Sequence, residues 1–197
     1  MTAYVDIVVE IFRLPVPVGI GSASFGTADI ITVGPVIASS LSQSSSEVFD
    51  NIFEYFHFLV TNKRQAICSM NAGDKPRAEE TLTSLEAKAY SILQGITDPS
   101  CLRCVLTHAD LHNHNILVAS DGRITAVLDW ELNLIQPAIL GVDYPHWLSD
   151  EGPDDPRFAD ENTWWEASPA ERDKIRTQFE EVCERKLPSD NCLIFIF

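Results

Sequence analysis

Three polar residues stand in one short segment in the arrangement His108-x-Asp110-x4-Asn115, and an apolar run, Ile116 to Val118, follows directly. A carboxylate placed beside an acceptor hydroxyl can orient that hydroxyl and take its proton. A neutral amide oxygen a few residues further on can bind a magnesium ion that bridges phosphate groups. The spacing therefore favours phosphoryl-transfer chemistry, with Asp110 as the base and Asn115 as a metal ligand.

A second acidic residue, Asp129, follows the next apolar run of the chain. The runs Ile116 to Val118 and Ile124 to Leu128 flank Ser120-Asp121-Gly122, a pattern that is typical of a β-hairpin. A hairpin returns the end of its second arm to the start of its first. Asp129 and Asn115 are therefore expected to face one metal ion across the base of this hairpin.

We expect different roles for the three histidines of this segment. His108 is expected to brace the loop by hydrogen bonding to the backbone near Asp129, which is a structural role. His112 and His114 are expected to be solvated loop residues.

Helical spacing of apolar residues predicts four helices that surround this segment. The first covers residues 4–14, and the second begins after the capping box of Ser44 and Glu47. The fourth follows Ser168 and continues to about Lys186. The third begins near Pro76, ends at Gly95 and is expected to point five residues inward: Leu82, Leu85, Ala89, Ile92 and Leu93.

Residues 16–46 are rich in Gly, Ser and Pro, with short strands possible at 30–33 and 36–37. The stretch Gly19 to Gly26 imitates the glycine-rich loop that covers phosphates in kinases. The prolines before it make a poor strand, however, and no Ala-x-Lys strand follows. We therefore expect an irregular connector.

The composition limits the classes of partner. The chain has 197 residues, 45% of them hydrophobic, and a net charge of −15 from 29 acidic and 14 basic side chains. This charge argues against nucleic acid and against an anionic membrane, because both are polyanions. It suits a cationic small substrate, although an acidic balance also serves solubility.

The five cysteines are an odd count spread through the chain, which does not resemble a secreted disulfide framework. The sequence has neither a positively charged leader at its start nor an apolar run of membrane-spanning length. These features predict reduced thiols and a cytoplasmic protein.

The run His108 to Val118, together with Leu128-Asp129-Trp130-Glu131, resembles the catalytic and metal-binding motifs of the aminoglycoside phosphotransferase and choline kinase family, whose fold is protein kinase-like. Ile20-Gly21-Ser22 and Val33-Gly34-Pro35 also resemble the region after the hinge in fungal members. The resemblance extends over about residues 1–150, and it is loose before residue 100.

This resemblance implies a kinase that uses ATP and Mg²⁺ to phosphorylate a hydroxyl group of a small molecule. It implies Asp110 as the catalytic base and Asn115 and Asp129 as the ligands of magnesium and, through it, of the nucleotide. His108 would support the loop, and Glu131 would be an acidic neighbour of the site.

The expected fold is α+β, a mainly helical kinase-like C-terminal lobe with a small catalytic hairpin. Residues 1–46 are expected to form a helix and a connector from the hinge region, and residues 47–197 the catalytic lobe, truncated at its C-terminal end. The N-terminal nucleotide lobe, with its phosphate-holding lysine, is expected to be missing. A catalytically inactive, pseudokinase-like binding or regulatory remnant therefore remains the alternative function.

Two further interpretations stay open. A zinc site is conceivable because Cys101, Cys104, His108, His112 and His114 lie within fourteen positions, but this spacing is too short for a usual finger. Four aromatic residues are expected to cap the helical core or, alternatively, to line a cleft for a cationic ligand: Tyr144, Trp147, Trp164 and Trp165.

Overall fold

Helices and short antiparallel strands alternate along the residues that the computed structural model describes, which are 2–26, 30–37, 44–111, 113–141 and 169–186. The elements are α1 (Thr2–Arg13), β1 (Ser22–Phe25), β2 (Ile31–Gly34), α2 (Ile52–Cys68), α3 (Lys75–Gly95), a 3-10 turn (Pro99–Leu102), β3 (Cys104–His108), a second 3-10 turn (Asn113–Asn115), β4 (Ile116–Val118), β5 (Ile124–Val127), β6 (Asn133–Pro137), α4 (Ala138–Gly141) and α5 (Pro169–Lys186).

The strands form antiparallel pairs: β1 with β2, β3 with β6, and β4 with β5. In the second pair the register runs from Cys104 opposite Pro137 to His108 opposite Asn133. This combination of helices with small sheets confirms the α+β class. None of the described helices is both long and apolar enough to cross a membrane.

Strand β3 is buried on both of its faces. Because side chains alternate along a strand, Val105 packs into one apolar cluster, which includes Val5 of α1 and Phe179 of α5. The next residue, Leu106, packs into another cluster, which includes Ile135 of β6. The strand that leads to His108 is therefore held from both sides, so its end has a fixed position.

The expected irregular connector contains a β-hairpin. The possible strand at 30–33 is present as β2, whereas β1 was not expected, so the prediction of an irregular segment is wrong over residues 22–25. Ser22 of β1 pairs with Gly34 of β2, and Phe25 pairs with Ile31. A Cβ atom at Gly21 would collide with the carbonyl oxygen of Gly34, so the close approach of the two strands requires glycine there.

One expected strand is absent, and one helix begins later than expected. Residues 36–37 are not a strand, because the amide of Val36 donates to Ser45 Oγ (2.7 Å). The second helix begins at Ile52 and is capped by Asn51, whose side chain accepts from the amides of residues 53 and 54. Phe49 cannot join this helix because its backbone exchanges two hydrogen bonds with that of Ile20 (2.8 and 3.0 Å).

Helix α3 lies at the periphery. Of the five residues expected to point inward, only Leu93 is buried, whereas Leu85 and Ile92 are 57% and 64% exposed. The helix packs against α2, where Arg64 forms ion pairs with Glu79 and Glu86. An apolar pattern predicts a helix, but it does not tell how many neighbours will cover that helix.

The other side of α2 packs into the core, where Tyr55 belongs to an apolar cluster with Ile20 and Leu134 and provides a test of this packing. Burial raises the pKa of its phenol from 10.0 to about 12, because the charged form loses its hydration. The folded state binds this proton more tightly than the unfolded state does, so the resulting stability is complete below pH 10 and is lost as the pH rises toward 12.

We expect the free energy of unfolding of the wild type to fall, relative to that of Tyr55→Phe, by about 2 kcal/mol between pH 9 and about pH 11.5. Urea titrations at both pH values measure this difference. A difference that does not change with pH would mean that Tyr55 is not buried in the folded protein.

Candidate active site

His108 stands at the end of β3 and joins two loops through its imidazole. Its Nε2 lies 2.7 Å from the carbonyl oxygen of Leu128, and its Nδ1 lies 3.2 Å from the backbone nitrogen of Asp110. Since an amide donates and a carbonyl accepts, Nδ1 is the acceptor and Nε2–H the donor. The expected hydrogen bond from His108 to the backbone beside Asp129 is thus present.

Asn115 ties down the loop that carries Asp110. Its Nδ2 donates to the carbonyl oxygen of Asp110 (2.9 Å) and approaches one carboxylate oxygen of the same residue (3.4 Å). Asn115 is buried, and Asp110 is half-buried. These contacts direct the Nδ2 end of the amide toward Asp110, so Oδ1 is the atom of Asn115 that can ligate a cation.

The β4–β5 hairpin brings Asp129 back toward Asn115, and the prediction of this hairpin is confirmed. Ile116 pairs with Val127. One residue further on, the amide of Leu128 donates to the carbonyl oxygen of Asn115 (2.8 Å). Asp129 is therefore the next residue after Leu128, whose amide is bonded to Asn115 and whose carbonyl is bonded to His108.

Asp129 has a left-handed backbone conformation, with φ of 65°, and an exposed side chain. Aspartate tolerates this conformation better than most residues, but it remains uncommon outside glycine. The flanking residues fix it, because Leu128 is bonded through both its amide and its carbonyl, and Trp130 donates from Nε1 to the carbonyl of Val127 (3.1 Å). Uncommon conformations held in this way cluster at functional sites.

The structure links three of the predicted residues through these bonds, His108, Asp110 and Asn115, and Asp129 directly follows Leu128, which is bonded to His108 and Asn115. Glu131 is exposed and lies two positions beyond Asp129.

The donor set can be compared with magnesium and with zinc. A carboxylate and an amide oxygen suit Mg²⁺, which commonly takes one or two carboxylates and completes its shell with phosphate and water. Within the part of the chain that the structure describes, no group of three or more His, Cys, Asp or Glu residues could hold a metal ion. Cys101 belongs instead to the apolar core, and the described residues thus do not support the zinc interpretation.

Two residues of the site were not given a role by the sequence patterns. The Trp130 ring packs against the His108 ring in a T-shaped contact, with centroids 4.8 Å apart. Asn133 is buried at the start of β6 and donates from Nδ2 to the carbonyl of Trp130 (2.6 Å). A polar residue between Leu132 and Leu134 was the available signal, because a polar side chain on a buried strand needs a partner.

Some predicted residues lie outside the described part of the chain. These are His112 and the four aromatic residues that were expected to cap the core or to line a cleft: Tyr144, Trp147, Trp164 and Trp165.

Comparison with known proteins finds a family profile that is similar to the segment carrying this geometry. A profile of the phosphotransferase enzyme family matches residues 64–140, which include the whole constellation described above. The resemblance seen in the sequence is thus confirmed as a similarity to this family over residues 64–140.

A curated relative gives a longer match. The Clavilactone A biosynthesis cluster protein Y of Ampulloclitocybe clavipes is 44% identical over 182 residues, which are 91% of this chain and 45% of that protein. The chain thus spans less than half the length of this relative. No solved structure gave a significant match.

The bridging role of His108 predicts a specific loss of stability. His108→Ala removes a buried ring and leaves a part-buried carbonyl and a part-buried amide without their partner, so we expect the free energy of unfolding to fall by about 2–4 kcal/mol. His108→Gln can still donate to Leu128 and should lose about half as much.

Chemical unfolding of the purified variants measures both changes. His57→Ala is the matched control, because His57 is exposed on α2 and its loss should cost less than about 0.5 kcal/mol. Equal stabilities of the His108→Ala and His57→Ala proteins would contradict the bridging role.

Proposed function

We propose that the protein to which this chain belongs is a phosphotransferase that uses ATP and Mg²⁺ to phosphorylate a hydroxyl group of a small molecule. The observation that carries the proposal is the hydrogen-bonded link from Asp110 through Asn115 to Leu128, the neighbour of Asp129. It lies inside the segment that matches the phosphotransferase enzyme family. In this proposal residues 47–197 belong to the catalytic lobe of a kinase-like fold.

Asp110 is the proposed catalytic base. Its backbone is fixed at the amide by His108 and at the carbonyl by Asn115, so its half-buried carboxylate has a restricted position. The acceptor hydroxyl oxygen forms a bond to the γ-phosphorus, the bond from that phosphorus to the β–γ bridging oxygen breaks, and ADP leaves. The hydroxyl proton passes to the Asp110 carboxylate.

Asn115 and Asp129 are the proposed ligands of magnesium, and through it of the nucleotide phosphates. Bound magnesium would neutralise negative charge on the phosphate oxygens during transfer. Asn115 would contribute its Oδ1 and Asp129 its exposed carboxylate. Glu131, exposed in the same turn, would add negative charge beside the cation.

A small molecule is the proposed substrate class. The relative from Ampulloclitocybe clavipes is named for a biosynthesis cluster, which favours a small-molecule acceptor over a protein. The net charge of −15 disfavours nucleic acid and anionic membranes and suits a cationic acceptor. We also propose a cytoplasmic location, where ATP is available.

Two substitutions at the site should affect turnover in different ways. Asp110→Asn removes the proton acceptor and is expected to lower turnover by about two to four orders of magnitude. Asp129→Asn weakens metal binding, so it should also raise the Mg²⁺ concentration needed for the half-maximal rate. ADP release from ATP, measured with a panel of small hydroxylated compounds over a range of Mg²⁺ concentrations, reports both effects.

Asp121→Asn is the matched control. Asp121 is exposed at the tip of the β4–β5 hairpin, where its carboxylate accepts from the amide of Arg123 (3.0 Å), and its loss should leave turnover unchanged. If Asp110→Asn turned over within about twofold of this control, the assignment of the base would be wrong. A wild-type protein that releases no ADP with any compound would favour the inactive remnant.

A further inference from the structure

Asn133 connects two segments that lie far apart in the sequence. It is 5% exposed and stands opposite His108 in the β3–β6 register. Its Oδ1 accepts from the backbone amide of Ala23 (2.6 Å), and its Nδ2 donates to the carbonyl of Trp130 (2.6 Å). Because a backbone amide can only donate and a carbonyl can only accept, these two partners determine which end of the side-chain amide is which.

The carbonyl of Trp130 belongs to the turn that carries Asp129, residues 128–132, which we call the Asp129 turn. Every second backbone carbonyl of this turn accepts a hydrogen bond from outside the turn or from Asn133. His108 binds that of Leu128, Asn133 binds that of Trp130, and the amide of Ala109 binds that of Leu132 (2.7 Å). Asp129 therefore lies between two residues whose carbonyls are bonded to side chains.

The other partner of Asn133 lies on the β1–β2 hairpin. Gly21 exchanges two backbone hydrogen bonds with Ile135 (2.9 and 2.7 Å), and the bond from Ala23 to Asn133 continues this contact toward the Asp129 turn. The side chain of Asn133 thus links β1, which lies along β6, to the carbonyl of Trp130.

We propose that Asn133 is a positioning residue for the metal site: it holds the Asp129 turn in its ligating conformation and couples that conformation to the placement of the β1–β2 hairpin. This inference rests on the proposed function, in which Asp129 binds magnesium. A residue that only filled a buried space would affect stability, whereas a positioning residue also affects metal affinity. Groups that hydrogen-bond directly to a metal ligand typically contribute about 10- to 100-fold to metal affinity, and Asn133 acts one residue away, so the lower end of this range is expected.

The test compares the variants Asn133→Ala and Asn62→Ala of the whole chain. Asn62 is a matched control because it is 4% exposed, and its Nδ2 also donates to a backbone carbonyl, that of Phe58 (3.1 Å), within α2. Titration with Mn²⁺, followed by the electron paramagnetic resonance signal of the unbound ion, gives the affinity without any need for turnover. We expect Asn133→Ala to bind Mn²⁺ about 10-fold or more weakly than the wild type, and Asn62→Ala within about twofold of it.

Asn133→Asp separates the two bonds of the side chain. The carboxylate can still accept from Ala23, but it has no proton to donate to Trp130. Its added negative charge would by itself attract a cation. A weaker affinity for Mn²⁺ despite this charge would therefore identify the bond to Trp130 as the one that matters, and this variant decides the question if Asn133→Ala does not fold.

The outcomes separate this inference from the proposed function. If the wild type binds Mn²⁺ and Asn133→Ala binds it as well as Asn62→Ala does, the inference is overturned and the proposed function stands. If the wild type does not bind Mn²⁺, the proposed function fails and the inference fails with it.

Discussion

Both ring nitrogens of His108 are engaged with backbone atoms of two different loops. One loop carries Asp110 and the other carries Asp129, so a single buried ring fixes the spacing between the two carboxylate-bearing segments. The ring itself is fixed because β3 is buried on both faces and because Trp130 packs against it. Rigid support of this kind favours catalysis, since it lowers the cost of orienting reacting groups.

The left-handed conformation of Asp129 depends on this support. A backbone in this region costs free energy for a residue other than glycine, and it persists only where neighbouring contacts determine it. The carbonyl of Leu128 on one side and that of Trp130 on the other are both bonded to buried side chains, His108 and Asn133. Because Asn133 of β6 also accepts from Ala23 of β1, the support of the site reaches both of these strands.

Local patterns predicted the parts of the structure that depend on near neighbours in the sequence. The β4–β5 hairpin follows from two apolar runs around a turn in which Gly122 has a positive φ of 82°. The bond from His108 toward Asp129 could be predicted because the hairpin closes the distance between them. The roles of Asp110, Asn115 and Asp129 stay predictions, because the geometry allows their chemistry but does not measure it.

The features that the sequence did not predict depend on distant partners. Strand β1 exists because β2 supplies its hydrogen bonds and because Gly21, the residue before it, is paired with Ile135. Helix α2 begins late because Phe49 is paired with Ile20. The exposure of Leu85 depends on how much of α3 is covered by other elements. The local sequence shows that Asn133 needs a partner, but it does not show that one partner is Ala23, which is 110 residues away.

The central claim is that Asn115 and Asp129 bind one divalent cation and that the catalytic base Asp110 lies beside it. Paramagnetic broadening by Mn²⁺ in an NMR spectrum of the chain tests it most directly, because the ion broadens the signals of the nuclei nearest to it. The claim predicts that the side-chain amide of Asn115 and the backbone amides of Asp110 and Asp129 broaden first, at the lowest Mn²⁺ concentrations. Broadening that begins instead on a different surface, such as the exposed carboxylates of α3, would contradict it.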